Sequence, residues 1–488
     1  MVHQLFHEPS NELAVLDLTK EASSVTPSST PLNSQQFEAS FNARDYIGLH
    51  QHNYETDLTG EGITVAILDT GIDPNHHVFT ADGSQPWHEK IVAFYDEEIE
   101  ALRDLPFDVQ WHGTWTASIL GGKGSNYNGI APNVKLLVLK VFYYDEGELS
   151  SNIPTLEKAI DWIVENYDLY NIRVVSMSFG AKSDGNQEDL KYLHDLMEPL
   201  TKENILVVAA AGNHGNDPKS ITAPASAASV LAVGGVDFFG NMYSKSGAGP
   251  TFEGLTKPDV CAPSISIKGA KAGTLDEYST HTGTSAATPF VSGLAALMLE
   301  KNPDLSWQQL KNIISLTSVR TIDPYRIKDN IQGWGIIQGY AALSALDVPV
   351  TLQENLAIRF TLNRHERVFC LPIDLNPGHW FIQLTESGAG NAAMYLFDHN
   401  PDPHGNPILI SHTANIDLIG DIKRLGVYSA DKQEYYLVVK LLEGANIGDH
   451  EVSIQLVIEH RLGILFIIFC ANLTGLASAI IYLKKSLK

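Results

Sequence analysis

Apolar and polar positions along the chain divide it into regions of different texture. Over the first forty-odd residues, rich in Ser, Thr and Pro, no period is sustained, which predicts a flexible leader over 1–44. From Gly62 the pattern changes. "ITVAILD" is a continuous apolar run ending in an acid and followed by the turn signal "TGIDP", as expected of a strand buried on both faces. Runs of the same kind recur at Val134–Phe142, Arg173–Gly180, Ile205–Gly212 and Ser229–Asp237. Helical periods lie between them. Leu156, Ala159, Ile160, Ile163, Val164 and Tyr167 share one helix face, and Ser306 with Gln309 forms a capping-box signal for a later helix. Alternating strands and helices predict an α/β domain over 45–348, with a doubly wound, mainly parallel sheet whose chemistry gathers at the carboxyl ends of its strands.

After "GWGIIQGYAALSAL" the chain becomes strand-rich. "HWFIQLT", "EYYLVVKL" and "EVSIQLVIE" predict an antiparallel β-sandwich over 349–460; the last alternates apolar and polar residues, as expected where one sheet face is buried and the other wet. The run Leu462–Leu483 carries no charge over twenty-two residues, enough to cross a bilayer, so 461–488 is read as a transmembrane helix with a short basic tail. Ala471, Gly475 and Ala479 form a small-residue face that suits helix–helix pairing. Three lysines after the span place the tail on the cytoplasmic side by the positive-inside rule. The leader has no apolar segment of the secretory kind, which points the other way. The side faced by the rest of the chain stays open.

Composition narrows the function. A formal charge of -24 over 488 residues disfavours nucleic acid, whose phosphates would be repelled. The three cysteines, Cys261, Cys370 and Cys470, are too few for a disulfide framework.

Three short motifs carry the candidate chemistry: "VAILDTGID" with Asp69 at a strand end, "WHGTWTASILGG" with His112 opening a helix, and "GTSAATPFVSG" with Ser285 opening another. Singly, each has a structural explanation. Together they supply a hydroxyl nucleophile, an imidazole base to take its proton, and a carboxylate to orient that base. Pro289 falls early in the Ser285 helix, where a missing N–H is expected to cost least.

In these motifs, and in their order Asp, His, Ser, the chain resembles the subtilase family of serine proteases over about residues 45–346. The resemblance implies catalytic roles for Asp69, His112 and Ser285. It also implies an oxyanion-hole role for Asn213 in "AAAGNHG", with the Ser285 backbone N–H as second donor. The family's extended substrate would lie along "SMSFG", read as an edge strand, with Ser176, Ser178, Phe179, Gly180 and Gly212 as binding residues. The chain departs at Trp115 and Thr116, where the family usually has His and Val after "HGT". The chemistry implied needs no cofactor. Structural calcium is possible for such a family member but is not supported by the usual ligand positions, since the usual acid is replaced near Val78. Asp398, Asn400 and Asp402 in "FDHNPDPHGN" do not match an EF-hand. Residues 349–460 loosely resemble the pre-peptidase C-terminal sandwich. The implied partners are protein or peptide substrates and a lipid bilayer. The rival reading is a catalytically silent scaffold, against which stands the intact set of three residues. An acyl-transfer role is a weaker third.

Overall fold

The computed structural model describes residues 14–17, 41–49, 57–182, 187–352, 356–362, 367–387, 391–413, 423–442 and 452–461. Its largest sheet has eight strands, in the spatial order Val260–Pro263, Leu231–Val236, Leu206–Ala210, Ile172–Met177, Thr64–Asp69, Lys135–Lys140, Ile91–Asp96 and Ala101–Leu102. All neighbours run parallel except the last pair. Every residue of Thr64–Asp69 is buried, as its unbroken apolar run requires. Val65 and Ile67 face a core built with the helices His112–Gly121 and Thr284–Lys301. Ala66 and Leu68 face a second core under the helix Ile153–Tyr170. That alternation places helices on both sides of the sheet, the doubly wound arrangement. The Ile153–Tyr170 helix is capped by Asn152, whose Oδ1 accepts from the Thr155 N–H at 2.9 Å. Ser306 and Gln309 form the reciprocal box foreseen in the sequence.

Two five-stranded sheets follow. One contains Leu356–Leu362, Val452–Arg461, Gly378–Ser387 and Lys423–Ser429; the other contains Val350–Thr351, Val368–Leu375, Gln433–Leu441, Ala392–Asp398 and Leu409–His412. Ile358, Phe360, Ile382 and Leu384 from the first pack with Ile373, Met394, Leu437 and Val439 from the second, which makes the pair a sandwich. The second sheet has no wet face over its central strands. Ala393, Tyr395, Phe397 and Val438 point away from the sandwich core and join the core that holds Leu310, Ile314 and Trp334 of the larger domain.

The leader is not featureless throughout. Ala14–Asp17 pairs parallel with Leu356–Arg359 at the edge of the sandwich, Phe41–Asn42 pairs with Tyr127–Asn128, and the short helix Ala43–Ile47 buries Ala43 and Ile47 in the main core. Backbone groups at an exposed sheet edge recruit such segments whatever their periodicity. Among the described residues no helix is long and apolar enough to cross a membrane. The run 462–483, with Ala471, Gly475, Ala479 and Cys470, lies outside them. Cys261 and Cys370 are buried free thiols.

Candidate active site

Asp69 ends the central strand Thr64–Asp69, and His112 begins the helix beside it. Their approach depends on glycine: a Cβ on Gly113 would lie 2.0 Å from the Gly71 carbonyl oxygen, so nothing larger fits between strand end and helix start. Asp108 stitches the same corner. Its carboxylate accepts from the Thr114 N–H at 2.8 Å and from the Thr70 hydroxyl at 2.8 Å, while Thr70 Oγ1 accepts the Gly113 N–H at 2.9 Å.

Within this corner His112 Nδ1 lies 2.7 Å from Asp69 Oδ1. That oxygen also accepts the Thr70 N–H at 2.7 Å, and Asp69 Oδ2 accepts the Thr116 hydroxyl at 3.1 Å. Asp69 is fully buried. Burial pulls the His112 pKa down, but the charge and hydrogen bond of Asp69, with the charge of Asp108, outweigh it and hold the imidazole above its ordinary value. Trp111 stacks on His281 with ring centroids 3.9 Å apart, and Trp115 meets His281 edge-on at 5.2 Å. Burial and the His112 charge hold His281 below its ordinary value.

Ser285 is the second residue of the helix Thr284–Lys301 and is partly exposed. Pro289 lies inside this helix rather than in its first turn, which corrects the expectation from sequence. Its missing N–H leaves the Ser285 carbonyl without the usual partner four residues on. The Ser178 hydroxyl donates to that carbonyl instead, at 3.0 Å. Asn213 is fixed by its carboxamide oxygen, which accepts the Thr284 N–H at 2.9 Å and the Thr284 hydroxyl at 3.2 Å. Two donors on that oxygen orient the amide, so its NH2 is the end left for a ligand.

His112, Asn213 and Ser285 line one cleft of about 280 Å³, together with Ser178, Phe179, Gly180 and Gly212. Among the described residues no hydrogen bond joins His112 to the Ser285 hydroxyl in this conformation, a looseness common before substrate is bound. Ser176 is elsewhere. It is buried, and its hydroxyl accepts from Ser292 at 2.9 Å beneath the Ser285 helix. Nor is its strand at an edge: Ile172–Met177 lies between Leu206–Ala210 and Thr64–Asp69, and the chain leaves the sheet before Ser178. Alternation along a strand places Ser176 under the helix.

A sequence model of the subtilase family matches residues 60–335. The chain belongs to the subtilase family. Serine protease AprX of Bacillus subtilis (strain 168) is 31% identical over 314 residues, 57% of this chain and 66% of that protein. Subtilisin amylosacchariticus of Bacillus subtilis subsp. amylosacchariticus is 30% identical over 274 residues, 55% of this chain and 63% of the relative. The chain thus spans less than two thirds of either relative. The solved structure of S41 Psychrophilic Protease shares the fold, with a TM-score of 0.52 and 21% identity over 62% of this chain and 98% of that one.

Several of this subtilase's cleft residues were not foreseen. Phe142 supplies apolar wall, and Gln110 and His214 are polar. Nothing in their local sequence marks them, because loops carried in from separate strands assemble the wall. Among the described residues no group of three or more His, Cys, Asp or Glu side chains could hold a metal ion. Near Val78 the carboxylates serve the backbone: Asp73 accepts the N–H groups of Asn75 and Gly273, and Asp82 that of Ser125. These residues do not fit calcium. The loop of Asp398, Asn400 and Asp402 is likewise closed on itself, with Asp402 accepting the N–H groups of His404 and Asn406. It docks at Gly405, where a Cβ would lie 3.1 Å from Gln308 Cα.

Proposed function

We propose that this chain is a serine endopeptidase acting through Asp69, His112 and Ser285. The observation that carries the reading is the Asp69–His112 pair, at 2.7 Å, opening on the cleft that Ser285 also lines. The Ser285 hydroxyl attacks the peptide carbonyl while His112 Nε2 takes its proton, and Asp69 holds the Nδ1 proton and stabilises the imidazolium. The tetrahedral oxyanion is held by the Asn213 NH2 and by the Ser285 N–H, one of the free donors at a helix start. His112 then gives its proton to the leaving amine. Water repeats the sequence on the acyl-enzyme.

Ser178, Phe179, Gly180 and Gly212 would flank the bound peptide. We further propose that the uncharged run 462–483 anchors the enzyme in a bilayer; its support is the sequence alone. Labelling with a fluorophosphonate probe tests both claims. Wild-type protein is expected to label and Ser285→Ala not to, with the labelled band staying in membranes after a carbonate wash unless 462–488 is removed. Folded wild type that takes no label would favour the silent scaffold, and a band that washes off would remove the anchor.

A further inference from the structure

The two positions where the chain departs from the family pattern sit beside the catalytic pair. We propose that Thr116 is a positioning residue for His112, acting through the second oxygen of Asp69. The inference rests on the serine-protease reading above.

His112 and Thr116 are four residues apart on one helix, so both side chains present to the same neighbour. That neighbour is Asp69. Its Oδ1 takes the Thr70 N–H and faces His112 Nδ1, each at 2.7 Å, and its Oδ2 takes the Thr116 hydroxyl at 3.1 Å. Each oxygen therefore has a donor, and the carboxylate plane cannot turn without breaking a bond. Thr116 is 2% exposed and Asp69 0%, so bulk water cannot replace the hydroxyl.

The Thr116 hydroxyl has a second acceptor in reach, the Gly113 carbonyl at 3.1 Å, and only one proton to give. The charged acceptor makes the stronger bond, which directs the proton to Asp69. Trp115 fixes the rotation of the helix that aims it. Its ring is buried against Gly269, where a Cβ would come within 2.2 Å of it, and its Nε1–H donates to the Ile267 carbonyl at 3.3 Å. The donor on Oδ2 has an electrostatic consequence. It spreads the carboxylate charge and so tempers the pull of Asp69 on the imidazolium.

Removing that donor while keeping the shape isolates the effect. In Thr116→Val the acid limb of kcat/KM is expected to move up by about half a pH unit, because an unbonded Oδ2 favours the imidazolium. On the plateau kcat is expected to fall on the order of fivefold to tenfold with KM little changed, since orientation of the base matters only in the transition state. Thr116→Ser keeps the hydroxyl and is expected to restore both values. Should the valine protein not fold, Thr116→Ala against Thr116→Ser makes the same comparison, as both lack the methyl and differ in the hydroxyl. A valine or alanine variant with the wild-type acid limb overturns the proposal, as does a serine variant displaced equally. Wild-type protein that takes no fluorophosphonate label instead removes the underlying reading, so the two failures are distinguishable.

Discussion

Asp108 accepts four hydrogen bonds at the start of the His112 helix: from the Thr70 and Thr114 hydroxyls and from the Gln110 and Thr114 N–H groups. Its charge also supports the imidazolium form of His112. In the proposed mechanism the general base is the neutral imidazole, so activity is expected to fall as pH drops through the raised His112 pKa. Asp108→Asn removes the charge and is expected to lower that pKa, moving the acid limb of kcat/KM to lower pH. This direction is opposite to that expected of Thr116→Val, so pH profiles of the two variants form a paired test. An Asp108→Asn limb that stays put or rises would show that the Asp108 charge is screened from the ring. The contrast also shows what the sequence reveals at this scale. Asp69, His112 and Ser285 stand out in the sequence because the proposed chemistry asks for those residue types, and the structure brings Asp69 to His112 and lines one cleft with His112 and Ser285. Asp108 and Thr116 are ordinary polar residues whose part depends on which oxygen they reach, and no local pattern records that.

At the scale of elements, the Ser285 helix shows how a rule can be right and its placement wrong. Proline in a helix does leave a carbonyl without its partner. The sequence opens the helix at Ser285, one residue from the observed start at Thr284, but from either start Pro289 lies past the first turn, where its missing N–H does remove a bond. The freed carbonyl belongs to the proposed nucleophile itself, and Ser178 answers it from the segment after the neighbouring strand. Ser178 thus ties the cleft wall to the residue that would attack. Ser178→Ala leaves that carbonyl without the hydroxyl donor and is expected to destabilise the fold by about 1–3 kcal/mol. A lower kcat should accompany the loss, because Ser285 is no longer held from below. Chemical denaturation and steady-state kinetics on the same preparation check both. Unchanged stability would mean that the carbonyl finds another donor. The long apolar runs ending at Asp69, Phe142, Gly180, Gly212 and Asp237 mark strands in the sequence, whereas Ile91–Asp96 is not singled out there. Ser176 is misplaced because alternate residues of a buried strand serve different layers.

For the whole molecule, the sandwich is built onto the subtilase domain rather than tethered to it. The continuous apolar runs "AAMYLF" and "YYLVVKL" carry this in the sequence, since a strand with one wet face would alternate. A sandwich viewed alone does not reveal what covers its second face; the larger domain does so through Tyr395, Phe397 and Val438. Lys440 lies within that junction, its ammonium donating to the Ser318 carbonyl at 2.5 Å and facing the Tyr395 ring at 5.4 Å. Burial pushes its pKa down to about 7, while an unfolded lysine titrates near 10.4. Below about pH 7 both states hold the proton and the difference contributes no slope. Between about 7 and 10.4 the unfolded state binds more protons, so stability gains with rising pH. Lys440→Met removes this term and leaves other titrating groups, the buried Lys311 among them, common to both proteins. The stability of wild type relative to Lys440→Met is therefore expected to rise as pH climbs from 7 to 10 and to be flat below 7. Denaturant midpoints across that range measure it, and a difference that does not change with pH would mean that Lys440 keeps its proton in the junction.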